Sequence, residues 1–262
     1  MSLIISVRTN EGIVMASDSR MTLHAGATGQ VHFSDTLYKT FCIDKRIGIS
    51  TCGDSLVHGK FVASWMQTFE AEIYDKKWSV LATAQNVATF FAGLNPEESL
   101  IFHVGGYEQV VDTIKPVTYR VCVSCGRKID ISGRDEAPGA RWDGMTETMS
   151  RLIKSVVLVG ANDIIPFDSI TQTIHNKDGT TSIIEHKYKI AIPANSTRFT
   201  EAPIGFEFFN LQDAIDFAKY AIQTTIDTIK FKSESLTVGG PIDILVIEPC
   251  GARWIAHKEL HP

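Results

Sequence analysis

The second residue is the first that could carry a reaction. Serine is small enough for the initiator Met1 to be trimmed, and its removal would leave Ser2 with a hydroxyl nucleophile and a free α-amine on one residue. Such an amine titrates at about 7.7–8.0, so near neutral pH it can serve as the base for its own hydroxyl. Many chains begin Met-Ser, and the pair alone fixes nothing. What sets this terminus apart is that it enters a strand-like run, LIISVRT, at once. A terminus tied into a sheet is held still, as a catalytic group must be.

Other reactive types are placed less tellingly. Cys122 and Cys125 form a CxxC, but no second pair or histidine cluster accompanies them, and strand-like surroundings favour a structural role. Cys52 abuts Gly53 and reads as packing. The eight histidines show no HExxH or similar spacing, so no metal site is expected. Trp65 and Phe69 sit at helical spacing and read as core or subunit interface rather than a cofactor box.

The bulk numbers narrow the setting. With 262 residues and 44% apolar content the chain can bury a substantial core. Its 25 basic and 30 acidic residues are spread along the chain for a net charge of -5, which gives no basic footprint for nucleic acid. No apolar run approaches the roughly 20 residues that span a bilayer, and the start lacks the parts of a signal peptide. A cytoplasmic protein without a membrane partner is expected. The five cysteines are odd in number and scattered, which suits reduced thiols.

The elements that must position Ser2 follow from turn signals and periodicity. LIISVRT, the turn Asn10-Glu11-Gly12, IVMASDS, then YKTFCI, Asp44-Lys45 and IGISTC read as paired antiparallel strands. Val57, Phe61, Trp65, Phe69 and Ile73 recur at four-residue spacing and predict a helix over SLVHGKFVASWMQTFEAEI. A second helix is predicted at about 79–93. Strands return at ESLIFHVGG, TYRVCVS and RKIDIS. WDGMTETMSRLIKSVV reads as a third helix, LQDAIDFAKYAIQTTIDTI as a fourth, and PIDILVIE and RWIAH as closing strands. Strands, helices, strands, helices, strands is the order of two antiparallel sheets packed face to face with helices outside, an α+β, four-layer αββα sandwich. Residues 160–208 hold SITQTIH, the turn Asn176-Lys177-Asp178-Gly179 and TSIIEHKYKIAI, a β-hairpin insertion in one 1–262 domain.

SLIISVRTNEGIVMASDSRMT and YKTFCIDKRIGISTCGDS resemble the opening of proteasome β subunits and their bacterial relatives, the N-terminal-nucleophile hydrolases, without a gap from Ser2 to Thr22. TVGGPIDILVI resembles the family's strand entry after its last long helix. The likeness spans about 2–108 and 210–256. It implies Ser2 at the place of the family's threonine, Asp18 at its acidic residue, Lys39 at its lysine, and Gly53 at the glycine whose N–H helps form the oxyanion hole. Lys39 would hold down the α-amine pKa, and Asp18 would keep that lysine charged and oriented. The same register implies that Thr22 and Gly53 bond an extended peptide as an added strand, while Met21, Leu37, Thr51 and Ser55 line the pocket before the cut.

The chain departs from the family in three places. Serine replaces threonine and loses the branched Cβ that restricts χ1. The family's serine after its seventh strand falls on Ala137 or Gly139, and its later aspartate on Ser235 beside Glu234. The resemblance implies a homo-oligomeric ring or related assembly of an amide hydrolase that needs no cofactor, with peptide or unfolded protein as substrate and an ATPase unfoldase as a candidate partner. Two alternatives stay open: a catalytically silent scaffold subunit, and an amidase acting on a non-peptide amide.

Overall fold

The computed structural model describes residues 2–25, 30–97, 99–110, 112–124, 128–159, 168–175, 181–188, 196–201, 204–232 and 236–259. In chain order the strands are β1 Leu3–Arg8, β2 Ile13–Ser17, β3 Met21–Ala25, β4 Gln30–Ser34, β5 Thr40–Ile43, β6 Ile47–Gly53, β7 Leu56–Val57 and β8 Lys60–Phe61. Helices α1 Val62–Glu72 and α2 Val80–Gly93 follow, then β9 Leu100–Val110, β10 Thr113–Ser124, β11 Lys128–Asp135 and β12 Gly139–Gly144. After α3 Glu147–Ile153 come β13 Lys154–Val159, β14 Asp168–His175, β15 Thr181–Tyr188 and β16 Ser196–Glu201. Helix α4 Leu211–Ile229, β17 Asp243–Glu248 and β18 Gly251–Ala256 complete the set.

Two compact units emerge, Met1–Met149 with Gly205–Pro262, and Ser150–Ile204. The first contains two five-stranded antiparallel sheets, ordered β12-β1-β2-β17-β18 and β11-β10-β9-β6-β5. The β1–β2 hairpin forms because Thr9 closes the Asn10-Glu11 turn: its hydroxyl accepts from the N–H groups of Glu11 and Gly12. Phe69 on α1 and Val87 and Phe91 on α2 pack on Ile49, Phe102 and Val121 of the second sheet, all buried. On the other side α4 lies against β1 and β2, with Ala214, Ala218, Ala221 and Ile222 fully buried. Between the sheets Ile13, Met15, Leu245 and Ile247 make an apolar cluster. This is the α+β, four-layer αββα sandwich that the order of elements predicts.

The second unit pairs β13 with β16 from Lys154↔Glu201 to Val159↔Ser196, and β14 with β15 from Asp168↔Tyr188 to His175↔Thr181. The turn Asn176–Gly179 lies outside the described residues.

Two helix boundaries differ from the periodicity. His58 (φ +50) and Gly59 (φ +72) make a tight turn that splits β7 from β8, so α1 starts at Val62 rather than near Ser55. The predicted third helix is a strand end, the seven-residue α3 and then β13, because apolar residues such as Trp142 and Val156 belong to paired strands. The β3–β4 hairpin has no counterpart among the predicted strands. No helix among the described residues is long and apolar enough to cross a membrane.

Candidate active site

Ser2 stands at the head of β1, at 6% relative exposure; Met1 lies outside the described residues. Its carbonyl accepts from the Met145 N–H at 2.7 Å. The close approach requires Gly144 in the register position opposite Leu3: its φ is +101°, and a Cβ there would fall 1.8 Å from the Ser2 carbonyl oxygen. Ala137, by contrast, sits at the far end of β1, where its carbonyl accepts from Arg8 Nε. The chain opposite the terminus is therefore Gly144–Met145, while Gly139, in the stretch on which the family's serine falls by resemblance, is opposite Arg8. Ser235 and Glu234 lie outside the described residues.

Asp18 directly follows β2 and is fully buried. Its Oδ1 accepts from Leu3 N–H at 3.0 Å and from Lys39 Nζ at 2.8 Å. Its Oδ2 accepts from the N–H groups of Arg20 at 3.1 Å and Gly239 at 3.0 Å. Four donors on one buried carboxylate offset its desolvation. Lys39, just before β5, has 3% of its side chain exposed and gives a second N–H to the Arg20 carbonyl at 2.6 Å. The two residues thus sit as one buried ion pair beside the first peptide N–H after Ser2.

The remaining predicted residues surround this pair at different removes. Thr51 donates its N–H to the Lys39 carbonyl at 2.8 Å, and Leu37 donates its N–H to Ser19. Thr22 on β3 donates its hydroxyl to the Leu236 carbonyl, which leads in sequence to Gly239. Met21 pairs with Ser34, and Ser55 accepts from Val62 N–H where α1 begins. Gly53 ends β6 two residues past Thr51, exposed, with φ +108; a Cβ there would lie 2.1 Å from the Ser99 carbonyl. The backbone therefore demands glycine at that point whatever else it does.

Several residues of the site were not foreseen. Arg20 forks onto Asp35 with two 2.7 Å bonds, and this bonding holds the Asp35 carboxyl below its ordinary range. The clamp fixes the Arg20 backbone whose carbonyl holds Lys39. Asp243, opposite Ser17 in register, is fully buried and paired with Lys258, whose pKa is pulled down by burial. Cys52, which the sequence reads as packing, is buried next to Gly53, and burial raises its thiol pKa. Arg-Asp spacing as in SDSR…FSD is a weak sequence signal, since exposed pairs give the same pattern.

No family model matches this chain, and no curated protein matches it in sequence. Solved structures are similar to it. A Gly-1 mutant of Anbu from Hyphomicrobium sp. strain MC1 is 12% identical and matches 98% of this chain and 87% of that one with a TM-score of 0.54. A second Anbu structure from that strain is 13% identical, covering 98% of this chain and 86% of that one, with a TM-score of 0.52. HslV from Trypanosoma brucei is 14% identical, covering 94% and 99%, with a TM-score of 0.48. At these identities the likeness is one of fold: the chain has the proteasome-like N-terminal-nucleophile hydrolase fold.

Proposed function

We propose that the chain is a proteasome-type amide hydrolase in which Ser2, freed of Met1, is the nucleophile. The observation that supports this best is the buried Asp18–Lys39 pair, joined through Asp18 Oδ1 to the Leu3 N–H. An ammonium has three N–H donors; Asp18 and Arg20 take two of Lys39's, which leaves one for the Ser2 side chain. In the reaction the Ser2 α-amine takes the hydroxyl proton as Oγ attacks the substrate carbonyl. The Gly53 N–H stabilises the oxyanion, the protonated amine returns its proton to the leaving amine, and water then releases the acyl group from Oγ. Lys39 favours the developing alkoxide by its charge and opposes protonation of the α-amine.

Thr22 and Gly53 bind the substrate backbone as an added strand, and Met21, Leu37, Thr51 and Ser55 shape the adjoining pocket. The substrate is a peptide or unfolded protein and the assembly a cytoplasmic homo-oligomer, a ring or related form built through the first long helices, with an ATPase unfoldase as a candidate partner. Residues 160–208 are an insertion in a single domain.

Parallel assays with fluorogenic peptides and small amides test this reading. Wild type and Ser2→Thr should turn over, Ser2→Ala should not, and the responding substrate set identifies a peptidase or a small-amide hydrolase. Hydrolysis by Ser2→Ala at the wild-type rate would place the nucleophile elsewhere.

A further inference from the structure

Between the sheets, buried Ser6 on β1 and His103 on β9 form a continuous hydrogen-bonded chain with the partly buried Asp143 on β12. Ser6 Oγ lies 3.2 Å from His103 Nδ1, and His103 Nε2 lies 2.9 Å from Asp143 Oδ2. Arg120 on β10 covers the same carboxylate with Nε, at 3.1 and 2.9 Å from its two oxygens, and with Nη2 at 2.9 Å. A carboxylate only accepts, so Nε2 carries the imidazole proton and Nδ1 accepts from the Ser6 hydroxyl. Burial lowers the His103 pKa, which keeps the ring neutral, while the bonds from His103 and Arg120 outweigh burial and hold Asp143 at about 2. In residue types this is a serine–histidine–aspartate relay. Ser6 and His103 have no exposed surface, however, so no substrate can reach it and it is not a second hydrolytic centre.

Its position gives it another use. Asp143 is paired with Ile4 in register, and the two residues after it hold the terminus: Gly144 opposite Leu3, and Met145 with its N–H on the Ser2 carbonyl. On the opposite sheet His103 is paired with Ser50, which precedes Thr51, Cys52 and Gly53 on β6. One hydrogen-bonded chain therefore underlies both the segment that holds Ser2 and the strand that ends at Gly53. We infer that His103 is a positioning residue for the reaction at Ser2: by joining Ser6 to Asp143 it fixes the end of β12, and with it Gly144 and Met145, against the Ser2 carbonyl. This rests on Ser2 being the nucleophile.

The test uses the full chain, a β-lactone acylating reagent and intact mass to follow adduct growth, giving kinact and KI beside the thermal midpoint. His103→Leu removes both hydrogen bonds. His103→Gln keeps both, since its amide N–H can reach Asp143 and its carbonyl can accept from Ser6. His103→Leu should lower kinact about tenfold or more with KI within about threefold, and His103→Gln should restore kinact to within about threefold of wild type. Should His103→Leu not fold, Ser6→Ala removes only the hydroxyl at Nδ1 and should lower kinact about threefold or more. Wild-type kinact in His103→Leu or, in its place, Ser6→Ala would overturn the inference, as would a His103→Gln as slow as His103→Leu. A wild-type chain that takes no adduct at all would instead remove the reading of Ser2 itself.

Discussion

Asp18 accepts four hydrogen bonds while Lys39 spends two of its donors on Asp18 and Arg20, so each is held by more than the other. Lys39→Met should abolish turnover and also cost about 3 kcal/mol of stability, because it strands a buried carboxylate whose remaining donors are all peptide N–H groups. Denaturation midpoints and hydrolysis rates check both; activity within a few-fold of wild type would take Lys39 out of the mechanism. Asp18 and Lys39 were legible only through the resemblance of their surroundings, SDSR and YKTF, to the family, since taken alone each reads as a surface turn or ion pair. Arg20 was not, since an arginine two residues past an aspartate looks like any surface turn. His103 was less legible still: Ser6, Asp143 and Arg120 meet it only because three separate strands turn those side chains inward.

Element boundaries show where local signals suffice. Helix α4 has the bounds that the sequence predicts, and the structure shows what fixes its start: Asn210 and Asp213 form a reciprocal capping box ahead of a regular apolar face. The start of α1 was misread because Val57 and Phe61 continue its period, although His58 and Gly59 turn the chain between them. The end of β12 matters most for the site, and only the pairing of β1 with β12 reveals it. Gly144→Ala would force a Cβ onto the Ser2 carbonyl at a left-handed φ. It should cost about 2 kcal/mol by thermal unfolding. It should also slow Ser2 acylation, whereas Gly59→Ala, at a similar φ with open space around it, should leave the acylation rate unchanged.

For the molecule as a whole, the polar layer between the sheets links stability to pH. His103 has a lowered pKa when folded, so below about pH 6.5 the unfolded chain takes up a proton that the folded chain resists. Stability from this group is intact above about pH 6.5 and is lost as pH falls below it. Urea midpoints at pH 7 and pH 5.5 should therefore drop more for wild type than for His103→Gln; equal drops would mean that His103 titrates normally. Within the second unit Lys154 pairs with Glu201, so the strand ends that enter and leave it lie side by side. Replacing 155–200 by a short Gly/Ser link should leave a cooperatively folding protein, checked by far-ultraviolet circular dichroism, and loss of soluble protein would show that the segment belongs to the core. The central claim remains that Ser2 is a free N-terminal nucleophile, and intact mass before and after a β-lactone or epoxyketone tests it most directly. The purified protein should lack the mass of Met1 and gain one inhibitor, while Ser2→Ala and a chain with residues left ahead of Ser2 should gain none. A retained Met1, or an adduct on Ser2→Ala, would contradict the account.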